Sequence, residues 1–267
     1  MIKMPVKLCN LSKSECLLDK NDYQAAMDLE NQYFHVRINP VHQKYLGCKV
    51  INPVTGELTY FVFCVMIYGC KPAAAIVTRL TYPVVKYLHG LGVKFSIYMD
   101  DGRTVASSYE LTKEQHMLVQ ENFQKAGWNI QFKKTTLEPT QQLYHQGFIC
   151  NTEKMEYSLP KFKIKHLKEC IQDLVSKDQV SARFLARVIA KLTASERALG
   201  PIVRIMLRSG HVLLDSAVRK NGWDTLLKVT EAVESDFKFI IENLDSENGQ
   251  PIVNYKTGVT LNMLLRK

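Results

Sequence analysis

Tyr98-Met99-Asp100-Asp101-Gly102 is the stretch from which the fold of this chain can be predicted. Two β-rich runs, Val93–Tyr98 and Thr104–Ala106, flank it, and Asp-Gly is a strong signal for a hairpin turn. Two carboxylates ~4 Å apart repel each other by about 4 kcal/mol at an effective dielectric near 20. A bound divalent cation removes that penalty, and Mg²⁺ prefers carboxylate and phosphate oxygens. The pattern therefore predicts a hairpin whose turn carries paired aspartates suited to a metal ion.

A third carboxylate lies upstream at the end of another strand-like run. Asp28 follows Gln24-Ala25-Ala26-Met27 and is placed where a strand end could face a neighbouring hairpin tip. Carboxylates in this arrangement can hold two metal ions that clamp the attacking and leaving oxygens of a phosphoryl displacement. The alternative is structural, because Asp-Asp-Gly is also a common surface turn and Asp28 could cap the next segment.

The first 158 residues alternate strand and helix signals, and the order β-α-β-β-α-β predicts an α+β, ferredoxin-like sheet with helices on one face. The expected helices are 72–89, with a kink or break at Pro83, and about 107–126. The expected strands and hairpins are Tyr23–Asp28, Tyr33–Ile38, Lys49–Ile51 with Leu58–Met66, Trp128–Phe132, and a hairpin across Tyr144–Tyr157 turning near Asn151.

From Pro160 onward the pattern changes to helices. They are expected at about 161–176, 179–196, 199–217 and 224–243, followed by a loop at 245–251. The tail, 252–267, could form a short strand and helix.

Composition indicates a globular protein with a polyanionic partner. The 267 residues are 46% apolar and carry a formal net charge of +9, which suits nucleic acid, although a solvated basic face is the alternative. The seven cysteines are scattered without a C-x-x-C pair and read as small buried residues in a reducing compartment. The sequence lacks a membrane-length apolar run and a secretory signal, which predicts an intracellular protein, cytoplasmic or nuclear, with no membrane partner.

Five segments, taken together and in this order, resemble the motifs of reverse transcriptases, the RNA-directed DNA polymerases. They are Asp28–Val36 for the first aspartate motif, Tyr68–Ala74 for the glycine loop that opens a helix, Tyr98–Asp101 for the Y-x-D-D motif, Lys133–Pro139 for the later lysine motif, and Leu143–Phe148 for the primer-grip hairpin. Two segments, Asp100–Arg103 and Asn248–Ile252, look like the corresponding segments of DIRS-like retrotransposons. A Gypsy-like element is the alternative.

The resemblance implies a polymerase palm with partial fingers, followed by a helical thumb or connection. The implied domains are 1–22, a remnant of the fingers; 23–158, the palm with partial fingers at 44–66 and the primer-grip hairpin at 144–157; 159–251, the thumb or connection; and 252–267, the tail. Compared with the family, the chain is expected to be a fragment that lacks most of the fingers and the ribonuclease H domain.

The resemblance also implies the chemistry, which is two-metal nucleotidyl transfer to a primer 3′-hydroxyl. Asp28, Asp100 and Asp101 would hold two Mg²⁺ ions, with Mn²⁺ as a possible substitute, and the Leu29 carbonyl would be a further ligand. Lys134 would act on the pyrophosphate leaving group, with Lys133 as the rival. The partners implied are an RNA or DNA template with its primer and deoxynucleoside triphosphates; the oligomeric state is left open.

The remaining implied roles concern the nucleotide and the primer. Tyr33 would be the steric gate against a 2′-hydroxyl, or else a core aromatic. Gly147 and Phe148 would position the primer strand. The other residues expected to bind the nucleotide are Tyr68, Gly69, Tyr98 and Met99.

The chain departs from the family's motifs near the nucleotide pocket and in the primer grip, at Gln32, Ala74, Val77 and Gln146. In the helical half, Lys161, Lys165 and Lys168 are expected to share a helix face that follows the backbone of a duplex, or is simply solvated. Two other functions remain open: an inactive palm–thumb remnant that binds nucleic acid, and an unrelated divalent-metal phosphotransferase.

Overall fold

A computed structural model of the chain describes residues 14–252. These residues fall into two compact units, which divide between Leu143 and Tyr144. The elements of the first unit are β1 (Tyr23–Asp28), a 3-10 helix (Gln32–His35), α1 (Pro40–Gln43), β2 (Gly47–Ile51), β3 (Leu58–Val62), α2 (Ala73–Gly90), β4 (Lys94–Tyr98), β5 (Asp101–Ala106) and α3 (Tyr109–Lys125).

The second unit is a small sheet followed by helices, and its first strand crosses the boundary between the units. Its elements are β6 (Gln142–His145), β7 (Phe148–Asn151), β8 (Glu156–Ser158), α4 (Lys161–Val175), β9 (Gln179–Ser181), α5 (Ala182–Ala194), α6 (Glu196–Leu199), α7 (Ile202–Met206), α8 (Arg208–Asn221), β10 (Leu226–Lys228), α9 (Glu231–Asn243) and β11 (Gln250–Pro251).

The central sheet of the first unit has the order β1-β5-β4, with both pairs antiparallel. Helices α2 and α3 pack against it and against each other, because apolar residues recur along one side of each helix. Phe95 of β4 meets Phe123 of α3 edge to face, with ring centroids 5.6 Å apart. Met27 and Leu88 are also fully buried in this core. The predicted α+β fold is confirmed, and α2 is continuous through Pro83.

Two predicted strands of the first unit are wrong. The segment Tyr33–Ile38 begins in a 3-10 helix, because Asn31 takes the left-handed conformation (φ 48°) and turns the chain as β1 ends. Trp128–Phe132 makes only one isolated bridge, between Leu29 and Ile130. The backbone from 129 to 140 follows the free edge of β1 with interrupted hydrogen bonds, so the expected fourth strand is replaced by an irregular border.

The hairpin that carries the aspartates turns earlier than predicted. Tyr98 pairs with Asp101, so Met99 and Asp100 form a two-residue turn and Gly102 lies inside β5. Met99 has φ 59°, a conformation that a non-glycine side chain adopts only when its surroundings hold it there. Asp101 and Gly102 therefore do not form the turn, and glycine at position 102 must have another explanation.

Gly102 is needed for packing. A Cβ at this position would lie 2.8 Å from Cζ of Phe95. We expect Gly102→Ala to reduce the free energy of unfolding by about 1–3 kcal/mol, because overpacking forces the ring or the strand to shift. Urea unfolding measures this, with Gly90→Ala as the control: Gly90 ends α2 with open space around it. Equal stability changes in the two variants would contradict this account of Gly102.

The second unit contains more turns and breaks than the periodicity indicated. The predicted hairpin across Tyr144–Tyr157 is three strands with two turns, at 146–147 and 152–155. Short strands Gln179–Ser181 and Leu226–Lys228 pair with each other where helix starts were expected. Leu207 separates α7 from α8 within the predicted helix 199–217. These breaks follow from tertiary pairing, which the helical pattern of the sequence does not encode.

The three-stranded region belongs to the same compact unit as the helices that follow it. The domain boundaries stay a prediction. The predicted elements in the tail after Ile252, and in residues 1–13, lie outside the described residues. No helix within residues 14–252 is both long and apolar enough to span a membrane.

Candidate active site

The sheet register brings the three predicted aspartates to one end of the first unit. Asp28, the last residue of β1, is the direct partner of Asp101, the first residue of β5. The backbone N–H of Leu29 donates to the carbonyl of Asp100 at 2.9 Å, which joins the end of β1 to the hairpin turn. The buried side chains of Met27 and Leu29 anchor this strand end in the core. The strand register and this hydrogen bond therefore bring the backbones of all three aspartates together at the turn.

The pKa of Asp28 responds to the charges of the other two aspartates. Partial burial raises the pKa of Asp28 above its ordinary value, and the charges of Asp100 and Asp101 raise it further, whereas Lys134 opposes them. The side chain is 21% exposed, so the carboxylate loses part of its hydration on folding. Such a site favours a cation, because positive charge relieves both the repulsion and the lost hydration.

A divalent metal fits the chemistry of these donors. Mg²⁺ takes carboxylate oxygens and keeps several waters or phosphate oxygens in its shell, and Asp28, Asp100 and Asp101 supply carboxylates alone. However, within residues 14–252 no three His, Cys, Asp or Glu side chains are arranged as a ready-made metal site. The ligand assignment accordingly stays a prediction.

Lys134 is the lysine that approaches the aspartates. Its Nζ lies 3.8 Å from Oδ1 of Asp28. A turn between Gln131 and Thr135 places it there: the N–H of Lys134 donates to the carbonyl of Gln131 at 3.0 Å. The Lys134 side chain is 69% exposed, so the charge can reach a bound anion. This geometry favours Lys134 over Lys133 for the predicted role.

Thr135 supports the site and was missed by the motif comparison. Its side chain is buried, and its Oγ1 accepts a hydrogen bond from the backbone N–H of Asp28 at 3.4 Å while donating to the carbonyl of Gln131 at 3.0 Å. One threonine thus ties the lysine turn to the end of β1. The only feature of the sequence that could have indicated this role is that a hydroxyl residue directly follows two lysines.

Tyr33 closes one side of the site. Its ring is 8% exposed and meets Tyr68 edge to face at 4.8 Å. Its hydroxyl donates to Sδ of Met99 at 3.8 Å. Burial raises the pKa of Tyr33, with a further contribution from the charge of Asp100 and smaller ones from neighbouring tyrosines. The predicted gate residue therefore faces the acidic turn.

The glycine loop brings an exposed aromatic surface to this side. Tyr68 is 60% exposed, and Gly69 has φ 86° with no atom within 4 Å of a would-be Cβ. Glycine is needed at 69 for its backbone conformation rather than for space. The half-buried Tyr98 and Met99 complete the surroundings of Asp100. Six residues were expected to bind the nucleotide. Five of them contact or pair with another residue of this site: Leu29, Tyr33, Tyr68, Tyr98 and Met99.

Gly147 and Phe148 belong to the second unit, where Lys163 organises their turn. Gln146 (φ 48°) and Gly147 (φ 88°) form the left-handed turn between β6 and β7. Nζ of Lys163 donates to the carbonyl of Gly147 at 2.8 Å and lies 5.9 Å from the ring centroids of both Tyr144 and Phe148. Burial lowers the pKa of Lys163. Lys163, on α4, thus binds the hairpin turn with its side chain.

The basic character of the second unit is partly neutralised within the chain. Lys168 pairs with Asp245, Arg183 with Asp224 at 2.7 Å, and Arg204 with Glu196 at 2.7 Å. These pairs are exposed and contribute little to stability. They reduce the net positive charge at the surface of this unit, compared with a count of its lysines and arginines.

A sequence profile described as reverse transcriptase (RNA-dependent DNA polymerase) matches residues 3–186. No curated protein matches the chain. Solved foamy viral protease-reverse transcriptase complexes share the fold. A "dRH" form with double-stranded DNA has 17% identity and a TM-score of 0.66 over 92% of this chain and 39% of that one.

Two further foamy viral complexes have the same fold as this chain. The one with an RNA/DNA hybrid has 16% identity and a TM-score of 0.69, over 94% of this chain and 30% of that one. The one with double-stranded DNA has 17% identity and a TM-score of 0.68, over 92% and 46%. At such identities the likeness shows the fold, and the chain spans less than half the length of each of these proteins.

Proposed function

The chain belongs to the reverse transcriptase family, and from this premise we propose that it extends a primer 3′-hydroxyl with deoxynucleotides on an RNA or DNA template. The observation that carries this proposal is the convergence of Asp28, Asp100 and Asp101 at one end of the sheet, with Lys134 3.8 Å from Asp28. The solved foamy viral structures are complexes with double-stranded DNA and with an RNA/DNA hybrid, and we assign the same class of partner to this chain.

Each residue has a proposed role in this reaction. Asp28, Asp100 and Asp101 hold two divalent ions, Mg²⁺ or Mn²⁺, and the Leu29 carbonyl adds a ligand. Bound ions of this kind stabilise charge on the attacking and leaving oxygens of a phosphoryl transfer. Lys134 supplies a proton or a positive charge to the leaving pyrophosphate. Gly147 and Phe148 position the primer strand.

The test is primer extension by the purified chain on a primed RNA template. We expect extension in Mg²⁺ or Mn²⁺, loss of extension on chelation with EDTA, and recovery when Mg²⁺ is added back. Binding of the same primed template is measured in parallel by fluorescence anisotropy. Binding without metal-dependent extension would overturn the proposed reaction and support a remnant that only binds nucleic acid.

Tyr33 is proposed to select deoxynucleotides, because its buried ring lies beside the acidic turn. We expect Tyr33→Ala to raise ribonucleotide incorporation relative to deoxynucleotide incorporation by roughly 10–100-fold, the range that one pocket contact controls. Tyr33→Phe is the control, since it keeps the ring and removes only the hydroxyl contact to Met99. Competition between ribo- and deoxynucleotides measures the ratio. A Tyr33→Ala variant that loses stability with an unchanged ratio would show that Tyr33 is a core aromatic.

A further inference from the structure

Three polar side chains in the second unit form a cluster that polymerisation does not use. Cys170 and His166 are one turn apart on α4, and Lys191 projects from α5. Nζ of Lys191 lies 3.3 Å from Sγ of Cys170 and also contacts Nε2 of His166. Nε2 lies 3.7 Å from Sγ, and Oε2 of Glu169 lies 3.9 Å from Nδ1 of His166. A thiol, an imidazole and an ammonium thus meet at one point.

The core of the unit holds this cluster in place. Residues four apart on a helix share a face, so His166 and Cys170 lie next to each other on the surface of α4. Cys170 packs against the buried apolar cluster that includes Ile171 and Leu192, so the backbones carrying the thiol and the ammonium are fixed. The His166 side chain is 58% exposed, which leaves the cluster open to a small molecule.

The arrangement matches the requirements of an activated nucleophile. The thiolate, not the thiol, attacks, and an adjacent cationic side chain favours it. A metal site is the weaker interpretation, because the Lys191 ammonium opposes a cation and no three-ligand group occurs among the described residues.

We propose that Cys170 is a reactive thiol that is modified by low-molecular-weight disulfides. In the reaction the thiol loses its proton to solvent, the Lys191 ammonium stabilises the thiolate, and Sγ attacks one sulfur of the reagent. A bond forms between these two sulfurs as the reagent's own sulfur–sulfur bond breaks. The departing sulfur leaves with the electron pair and takes up a proton from solvent, so the net change is an exchange of one disulfide for another.

The test follows adduct formation on the reduced full chain with oxidised glutathione, by mass spectrometry of peptides over time. Cys64, which is exposed, is the internal control. We expect Cys170 to react about tenfold faster than Cys64 although it is less exposed, because of the nearby positive charge. Lys191→Met should lower the Cys170 rate about tenfold and leave the Cys64 rate unchanged.

Lys191→Arg separates charge from packing, since it keeps the positive charge and should retain most of the Cys170 rate. If Lys191→Met opens the helices, both Cys170 and the core thiol Cys150 become more reactive instead, and the proposal fails. It also fails if Cys170 reacts no faster than Cys64, or if Lys191→Met leaves the Cys170 rate unchanged. This test makes no use of primer extension, so it is independent of the proposed polymerase function.

Discussion

Asp100→Asn and Asp28→Asn are each expected to reduce the rate of primer extension at least about 10³-fold. Each change removes one proposed metal-ligating carboxylate, and a loss of about 4 kcal/mol of transition-state stabilisation corresponds to this factor. Single-turnover incorporation of one deoxynucleotide measures the rate without interference from product release. Glu30→Gln is the matched control, because Glu30 is exposed two residues beyond Asp28. Extension that survives both aspartate changes would refute the metal assignment.

Stability distinguishes lost chemistry from lost structure in these variants. The pKa of Asp28 is raised in the folded chain, so in the absence of metal its ionised form weakens folding at pH values above the unfolded pKa. An amide removes this effect, and Asp28→Asn should unfold at the same or a higher temperature than the parent at neutral pH. Thermal unfolding without metal checks this. A marked drop in the unfolding temperature would show that Asp28 has a structural role.

Lys134→Ala is expected to reduce single-turnover incorporation about 10²-fold, which is typical for loss of a positioned proton donor or charge. Lys134→Arg should recover part of the rate, since it restores charge near Asp28. Lys133→Ala is the control one residue away and should change the rate by less than about threefold, as expected for a solvated side chain. Equal losses in the two alanine variants would remove the distinction between these lysines.

The pH dependence of Lys134→Ala gives an independent readout. Lys134 lowers the pKa of Asp28 against the effects of burial and the other aspartates. Without Lys134 that pKa rises, so a higher pH is needed to ionise Asp28. The acidic limb of kcat/KM, which reports the free enzyme, should move to higher pH in Lys134→Ala and stay in place in Lys133→Ala. An unshifted limb would show that the two side chains are not coupled.

Local signals in the sequence were sufficient for most of the first unit. Strand-like composition predicted β1, the turn signal at 52–57 predicted the hairpin of β2 with β3, and helical spacing predicted α2 and α3. Ser108, predicted near the start of α3, caps it by accepting from the N–H of Leu111 at 3.2 Å. These features depend on residues close in the chain, which is why they could be read without the fold.

The errors arose where distant residues decide the local structure. The border from 129 to 140 follows β1 because its hydrogen bonds reach back to residues about 100 positions earlier. Lys133 and Lys134 are adjacent and of the same type, and only the directions of their side chains differ. The turn sets these directions, and the sequence motif does not reveal them. The same holds for Lys191 and Cys170, which lie 21 residues apart on two helices. No period or spacing in the sequence links such pairs.

The irregular border of β1 has a consequence for how such a protein can change over time. Gln24 and Ala26 bond to it on one side of the lysine turn, and Asp28 and Glu30 bond to it on the other. Within this turn, Gln131 and Thr135 bond to Asp28, whereas Lys133 and Lys134 between them are exposed. Mutations there could alter or silence the chemistry next to Asp28 while the folded domain survives. A lineage of such genes could lose its reaction in this turn long before it loses its shape.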